Sequence, residues 1–448
     1  MHPAPRPHRP RRPRPSRSTR RTLAVGLAAA TLAALPWAAE ATQDRTSAAP
    51  SAHPHTPGSE VISDWSSVAT AVVGKDAKRP TSEPFIFYGI MSTAVYNAVV
   101  GIEGRYTPYK WHPREARGPR HASSEAAAAT AARRVLLTYF PKSRKRIDTA
   151  YAASLAKIPD GPAEDKGVRF GERAAAHIVE LRKDDGRDVK IAFDKKPAPG
   201  VWRPSPPNNG VFTNIWLGRT RPLVADSPDQ FMPAPPPALT SKQYARDLAE
   251  VKAVGGKKSK VRTAWQTETA RFFADSLPQQ FQAAYRGYAT RHKLDIVDAA
   301  RLFAAAGAAT ADASITTWNS KYTHALWRPI TAIRLADTDG NPATKPDRTW
   351  ESLLNTPPYP EYIGGHCAND GAVMAVLDRL TGGDIDFRIS SAATDTTRTY
   401  TSSADFNRDV INARVWGGVH FRTADIVGNR VGREIGEWTL DHYFKPVE

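Results

Sequence analysis

The chain has 448 residues, 41% of them hydrophobic and 24% charged, with a formal net charge of +17 and a single cysteine. That apolar share excludes a disordered polyelectrolyte and supports a sizeable core at a length beyond one ordinary domain, while one cysteine excludes an internal disulfide. The basic surplus is no argument for a nucleic-acid partner, because eight arginines and no acid crowd residues 1–22.

Those arginines precede an apolar run from Leu23 to Leu35 and then Ala39-Glu40-Ala41, the small-x-small form of a signal-peptidase site. Residues 1–41 therefore read as an export leader of possible twin-arginine type, with Arg20-Arg21 as the pair, and a secreted protein is expected. The apolar run, about 13 residues, is too short for a membrane anchor, and no later stretch is expected to span a bilayer. Residues 42–58, rich in Ser, Pro, Thr, Ala and His, read as a disordered linker.

Residues 59–195 read as an N-terminal helical region, with Ser123-Ser124-Glu125 capping an alanine-rich run that stops at Pro141 and a second run from Glu164 to Lys183. Residues 196–240 form a Pro-rich crossover, since positions 197–237 hold 11 of the 37 prolines, too many for helix or central strand. Residues 241–448 return to helical patterning: Ser241–Val254, Thr267–Leu277, Gln279–His292, Ile296–Trp318, His366–Leu380 and Asp425–Tyr443, with a brief strand near Asp386–Ser390. A mainly α bundle is expected.

Three stretches in the last third concentrate cations and histidines: Lys321-Tyr-Thr-His-Ala-Leu-Trp-Arg328-Pro329, Ile363-Gly364-Gly365-His366 and Arg414-Val-Trp-Gly-Gly-Val-His420. A small dianion removed from water needs several charge-assisted donors converging on it, and only cations and backbone amides supply them. Lys321 and Arg328 are spaced to share one helix face, Gly417 and Gly418 suit a turn before His420, and Gly364-Gly365 let a backbone approach a ligand at the start of a helix. His324 reads as a structural residue, Cys367 as a buried small side chain, and the run from Gly255 to Arg262 as a solvated loop.

The trio resembles the signature of the vanadium-dependent haloperoxidases and the related type 2 phosphatidic acid phosphatase superfamily, in its bacterial secreted branch. The family writes it Lys-x6-Arg-Pro, Pro-Ser-Gly-His and Ser-Arg-x5-His; Lys321, Arg328-Pro329, Gly365-His366, Arg414 and His420 match in order. The resemblance implies two four-helix-bundle-like halves, with vanadate held in the C-terminal one by Lys321, Arg328, Gly364, Gly365 and Arg414. It further implies His420 as the one covalent ligand of vanadium, His366 as the acid-base residue, and Trp318 and Tyr359 as the walls of a halide position. Hydrogen peroxide and a halide or small organic acceptor are the implied partners, with Lys321 polarising the peroxide and phosphate able to occupy the same site.

Two departures carry expectations. Ile363-Gly364 stands where the family has Pro-Ser, so one hydroxyl donor is lost; at about 1.5–3 kcal/mol this predicts oxyanion binding roughly tenfold to hundredfold weaker, recovered by serine at 364. Asp425 falls one residue beyond the offset at which the family places an aspartate after the second histidine, and is expected to orient His420 from behind. Three functions stay open at this point: a secreted haloperoxidase, an acid phosphatase passing through a phosphohistidine at His420, and an exported non-catalytic anion binder.

Overall fold

The computed structural model describes residues 58–447 other than residue 81, so the leader and almost all of the linker lie outside the described residues. Thirteen α-helices and one hairpin follow: α1 (Ser59–Ala69), α2 (Glu83–Glu103), α3 (Ser124–Tyr139), α4 (Arg144–Leu155), α5 (Pro162–Leu181), α6 (Lys242–Val254), α7 (Ala264–Phe272), α8 (Leu277–Arg291), α9 (Ile296–His324), α10 (Pro329–Arg334), α11 (Gly365–Thr381), β1 (Phe387–Ser391), β2 (Thr396–Tyr400), α12 (Ser403–Trp416) and α13 (Arg422–His442). The mainly α architecture holds.

Local chemistry sets many of the boundaries. Ser123 accepts from the Ala126 amide at the head of α3, Ser241 from Tyr244 at α6, and Asp295 from Val297 and Asp298 at α9. Thr263 and Gln266 form a reciprocal capping box that starts α7 three residues earlier than hydrophobic spacing suggested. Strand β1 pairs antiparallel with β2, a threonine-rich strand that the sequence left unassigned.

Helix α2 corrects an expectation. At 21 residues, with a mean hydropathy of 1.6 in its most apolar 18-residue window, it is long and apolar enough to cross a bilayer, although no such stretch was expected beyond the leader. It is apolar on every side because it is packed on every side, chiefly by α9, α3 and α5, with 89% of its most apolar window buried.

Two packings position the site. Helices α11 and α13 approach closely because Gly428 and Gly432 face the backbone of the first helix: a Cβ on Gly428 would lie 2.5 Å from the Gly364 carbonyl oxygen, and one on Gly432 would overlap the carbonyl of Ala368. The proline-rich stretch, whose helical content is one short turn at Ile215–Arg219, wraps the C-terminal half of α9. Buried Asp312 on α9 accepts the amides of Leu223, Val224 and Ala225 at 2.6–2.8 Å, and the Trp202 and Trp327 amides bond to Ala325 and Gly200. The chain just past α9 is thereby fixed.

Candidate active site

Lys321 and Arg328 do not share a helix face. Helix α9 stops at His324, capped by Ala325 in the left-handed conformation (φ 49), and Arg328 begins the next helix from its N-cap position. The two side chains still converge, because both reach the segment 359–363 that crosses them. Lys321 Nζ donates to the carbonyls of Pro360 (3.0 Å), Glu361 (2.8 Å) and Ile363 (2.6 Å). Arg328 Nε donates to Tyr359 O (2.7 Å), and the Ser320 hydroxyl reaches Tyr362 O (3.4 Å). Every carbonyl from Tyr359 to Ile363 is therefore held by a side chain of the Ser320–Arg328 stretch.

That arrangement changes what Lys321 can offer. Three carbonyl acceptors consume all three ammonium hydrogens, so none is left for a ligand as the side chains stand. Burial, with Arg328 nearby, presses its pKa well below the usual lysine range, and the three acceptors oppose that by requiring the charged form.

Arg328 Nη1 donates to Val419 O (2.9 Å) and to His420 Nε2 (3.1 Å), while its Nη2 is buried without a partner. Arg414, on the last turn of α12, spends Nη1 on Phe273 O (3.2 Å), and its Nε is likewise buried and unpartnered. After Arg414 the chain turns through Gly418 (φ 75), where a Cβ would overlap the carbonyl of Gly255, and delivers His420.

His366 and Gly365 sit at the start of α11, whose first amides have no intrahelical partner. Together with Arg414 and His420 they line one end of a cavity of about 490 Å³. Trp318 and Tyr359 form part of its wall, ring centroids 5.1 Å apart, and the Tyr359 ring lies over Arg328 at 4.9 Å and Lys321 at 5.4 Å. Lys321 and Arg328 are fully buried behind this wall. His324 packs edge-on against Tyr362, away from the cavity, and Cys367 is buried.

The carboxylate behind His420 is not Asp425. Glu361 Oε1 accepts from His420 Nδ1 at 2.8 Å and from the Phe421 amide at 2.9 Å, whereas Asp425 Oδ1 stands 4.0 Å from Nδ1, beyond hydrogen-bond reach. Asp425 instead fills the space beside Gly364: a Cβ there would overlap its Oδ1 and lie 3.1 Å from its Cα. Sequence reasoning missed Glu361. The signal available was one acid in an apolar run between Pro360 and Tyr362, since a buried carboxylate needs a partner.

The electrostatics follow from burial beside cations. His420 and His366 are both held well below the usual histidine range, by burial first and then by Arg328, Arg414 and Lys321, so both rings are neutral. Burial raises Glu361 to about 7 against the pull of Arg328 and Lys321, and raises Asp425 well above the carboxylate range. Arg414 and the Gly365 amide thus offer N–H donors beside two neutral imidazoles. Two buried guanidinium nitrogens lack acceptors. This donor set fits a tetrahedral oxyanion.

Comparison with known proteins places this fold and donor set among relatives. Residues 301–448 match the VCPO second helical-bundle domain. Over 298 residues the chain is 28% identical to the vanadium chloroperoxidase of Curvularia inaequalis, covering 53% of this chain and 48% of that protein, so it spans about half the length of the curated relative it matches. In fold it is similar to a bacterial vanadium-dependent iodoperoxidase (TM-score 0.73, 23% identical, 88% of this chain and 98% of that one). It is similar also to the holo form of a bacterial vanadium-dependent chloroperoxidase (TM-score 0.64, 18% identical, 86% and 97%). Residues 301–448 therefore carry the second helical-bundle domain of that family, and the chain shares the fold of the bacterial vanadium-dependent haloperoxidases.

Proposed function

We propose that this chain is a vanadium-dependent haloperoxidase-like enzyme, exported on the strength of residues 1–41, that oxidises halide with hydrogen peroxide. The observation that carries the reading is a pair of buried, unpartnered donors: Arg414 Nε, on a residue that lines the cavity with His366 and His420, and Arg328 Nη2, on a side chain bonded to His420 from behind. Vanadate, when bound, would supply the activation of peroxide toward two-electron oxidation of halide. The balanced reaction takes halide, peroxide and one proton to hypohalous acid and water.

The chain's own residues divide the remaining tasks. Arg328, Arg414 and the Gly365 amide would bind the oxygens, and His420 would present Nε2, which carries no proton because Arg328 Nη1 can only donate to it and whose lone pair that N–H would release to the incoming group. His366, neutral and partly open to the cavity, would take a proton from peroxide and return it to the departing oxygen. Trp318 and Tyr359 would form the wall of the halide position.

The same His420 geometry favours a second reading, an acid phosphatase. An unprotonated Nε2 backed by Glu361 is a competent nucleophile toward phosphorus, and His366 would protonate the leaving oxygen. Purified full-length protein should be assayed with and without orthovanadate for peroxide-dependent bromination or iodination of a phenol dye and for aryl-phosphate hydrolysis. Halogenation that requires vanadate supports the first reading. Hydrolysis that vanadate inhibits replaces it with the second, and silence in both assays leaves a non-catalytic anion binder.

A further inference from the structure

We propose that Glu361 is the positioning residue of His420, holding its ring in the tautomer that keeps Nε2 unprotonated, and that Lys321 acts by clamping the backbone that carries Glu361. The proposal deepens the oxyanion-site reading and rests on it only for its consequence in binding. Two neighbours demand the same tautomer from opposite sides of the ring. On one side Arg328 Nη1, which has no acceptor capacity, stands 3.1 Å from Nε2 and forces that nitrogen to accept. On the other, Glu361 Oε1 stands 2.8 Å from Nδ1 and takes its proton as a hydrogen bond.

The same carboxylate oxygen receives the Phe421 amide at 2.9 Å, which ties the backbone after His420 to the segment before His366. Glu361 is itself anchored through its backbone. Its amide donates to Leu326 O at 2.9 Å, and its carbonyl and those of Pro360 and Ile363 are the three acceptors of Lys321. Asp425, the carboxylate that the sequence pattern nominates for this task, is occupied in packing against Gly364.

The test is ¹⁵N-histidine NMR of the full chain, with the His420 signals assigned by their loss in His420→Ala, together with calorimetric titration of inorganic phosphate. Wild type should show a pyrrole-like Nδ1 and a pyridine-like Nε2 at His420. Glu361→Ala and the better-packed Glu361→Met should blur that signature and weaken phosphate binding at least tenfold. Glu361→Gln should restore it, because the amide oxygen accepts from Nδ1 and from Phe421, and Asp425→Asn should leave the tautomer unchanged. A wild-type His420 protonated on Nε2, or a tautomer shift in Asp425→Asn with none in the Glu361 variants, overturns the proposal. Should wild type fail to bind phosphate or orthovanadate, the oxyanion reading falls while the tautomer spectra still decide the role of Glu361.

Discussion

Serine at position 364 is the substitution for which sequence and structure give opposite answers. By pattern it restores a family hydroxyl and should tighten oxyanion binding. The backbone permits it, with φ −66 and ψ 108 at Gly364. The space does not: a Cβ would overlap Asp425 Oδ1 and press its Cγ at 3.2 Å and its Cα at 3.1 Å. Asp425 is fully buried near the start of α13, and that helix is held against α11 by the backbone contacts of Gly428 and Gly432, so neither side yields cheaply. Overpacking of this kind costs about 1–3 kcal/mol. Gly364→Ser should therefore lower unfolding stability by that amount in urea denaturation and leave phosphate binding equal or weaker. Shortening the obstacle should relieve the clash, so Gly364→Ser/Asp425→Ala is expected to depart from additivity by about 1 kcal/mol or more in the favourable direction. Tighter phosphate binding by the single variant at undiminished stability would refute the steric argument.

Other expectations follow from the same contacts. Lys321→Met strips the donor from three buried carbonyls and should cost roughly 3–5 kcal/mol in urea denaturation; an unchanged midpoint contradicts the clamp. Arg414→Met removes a buried cation with an unpartnered nitrogen, so phosphate affinity measured by calorimetry should fall about tenfold to hundredfold while the ligand-free protein loses little stability. Glu361 takes up a proton on folding, because its pKa rises from 4.5 to about 7 by burial. Its contribution to stability is then fullest below 4.5 and is lost as pH rises through about 7, by at most about 3 kcal/mol. Glu361→Gln should flatten that part of the pH–stability curve, and a curve parallel to wild type would show that Glu361 does not titrate this way.

The legible part of the site was its chemistry, because cations and histidines gathered around short motifs have few other reasons to recur. Gly365 and His366 from one stretch and Arg414 and His420 from another line one cavity, with Arg328 from a third stretch bonded to His420 behind it. What the sequence could not show was which hydrogen bonds those groups would spend on the protein itself. Lys321 seemed free to hold a ligand because seven-residue spacing placed it beside Arg328 on one helix, yet the left-handed turn at Ala325 broke that helix and the ammonium found three carbonyls. Glu361 was hidden for the complementary reason: its stretch has no periodicity, and its role exists only through contacts some 40 and 60 residues away in sequence. Helix α2 has the length and hydropathy of a membrane span, and only its neighbours in the fold, which no sequence pattern prints, mark it as a core helix.

The account stands or falls on whether the two orphaned guanidinium nitrogens and the two histidines share one tetrahedral guest. A crystal structure of the full chain grown with orthovanadate, its metal located by anomalous scattering, tests this directly. Density bonded to His420 Nε2, with oxygens in hydrogen-bond contact with Arg328 Nη2 and Arg414 Nε, is the result expected. Vanadium bound elsewhere, or a cavity end that stays empty at saturating vanadate, would contradict it.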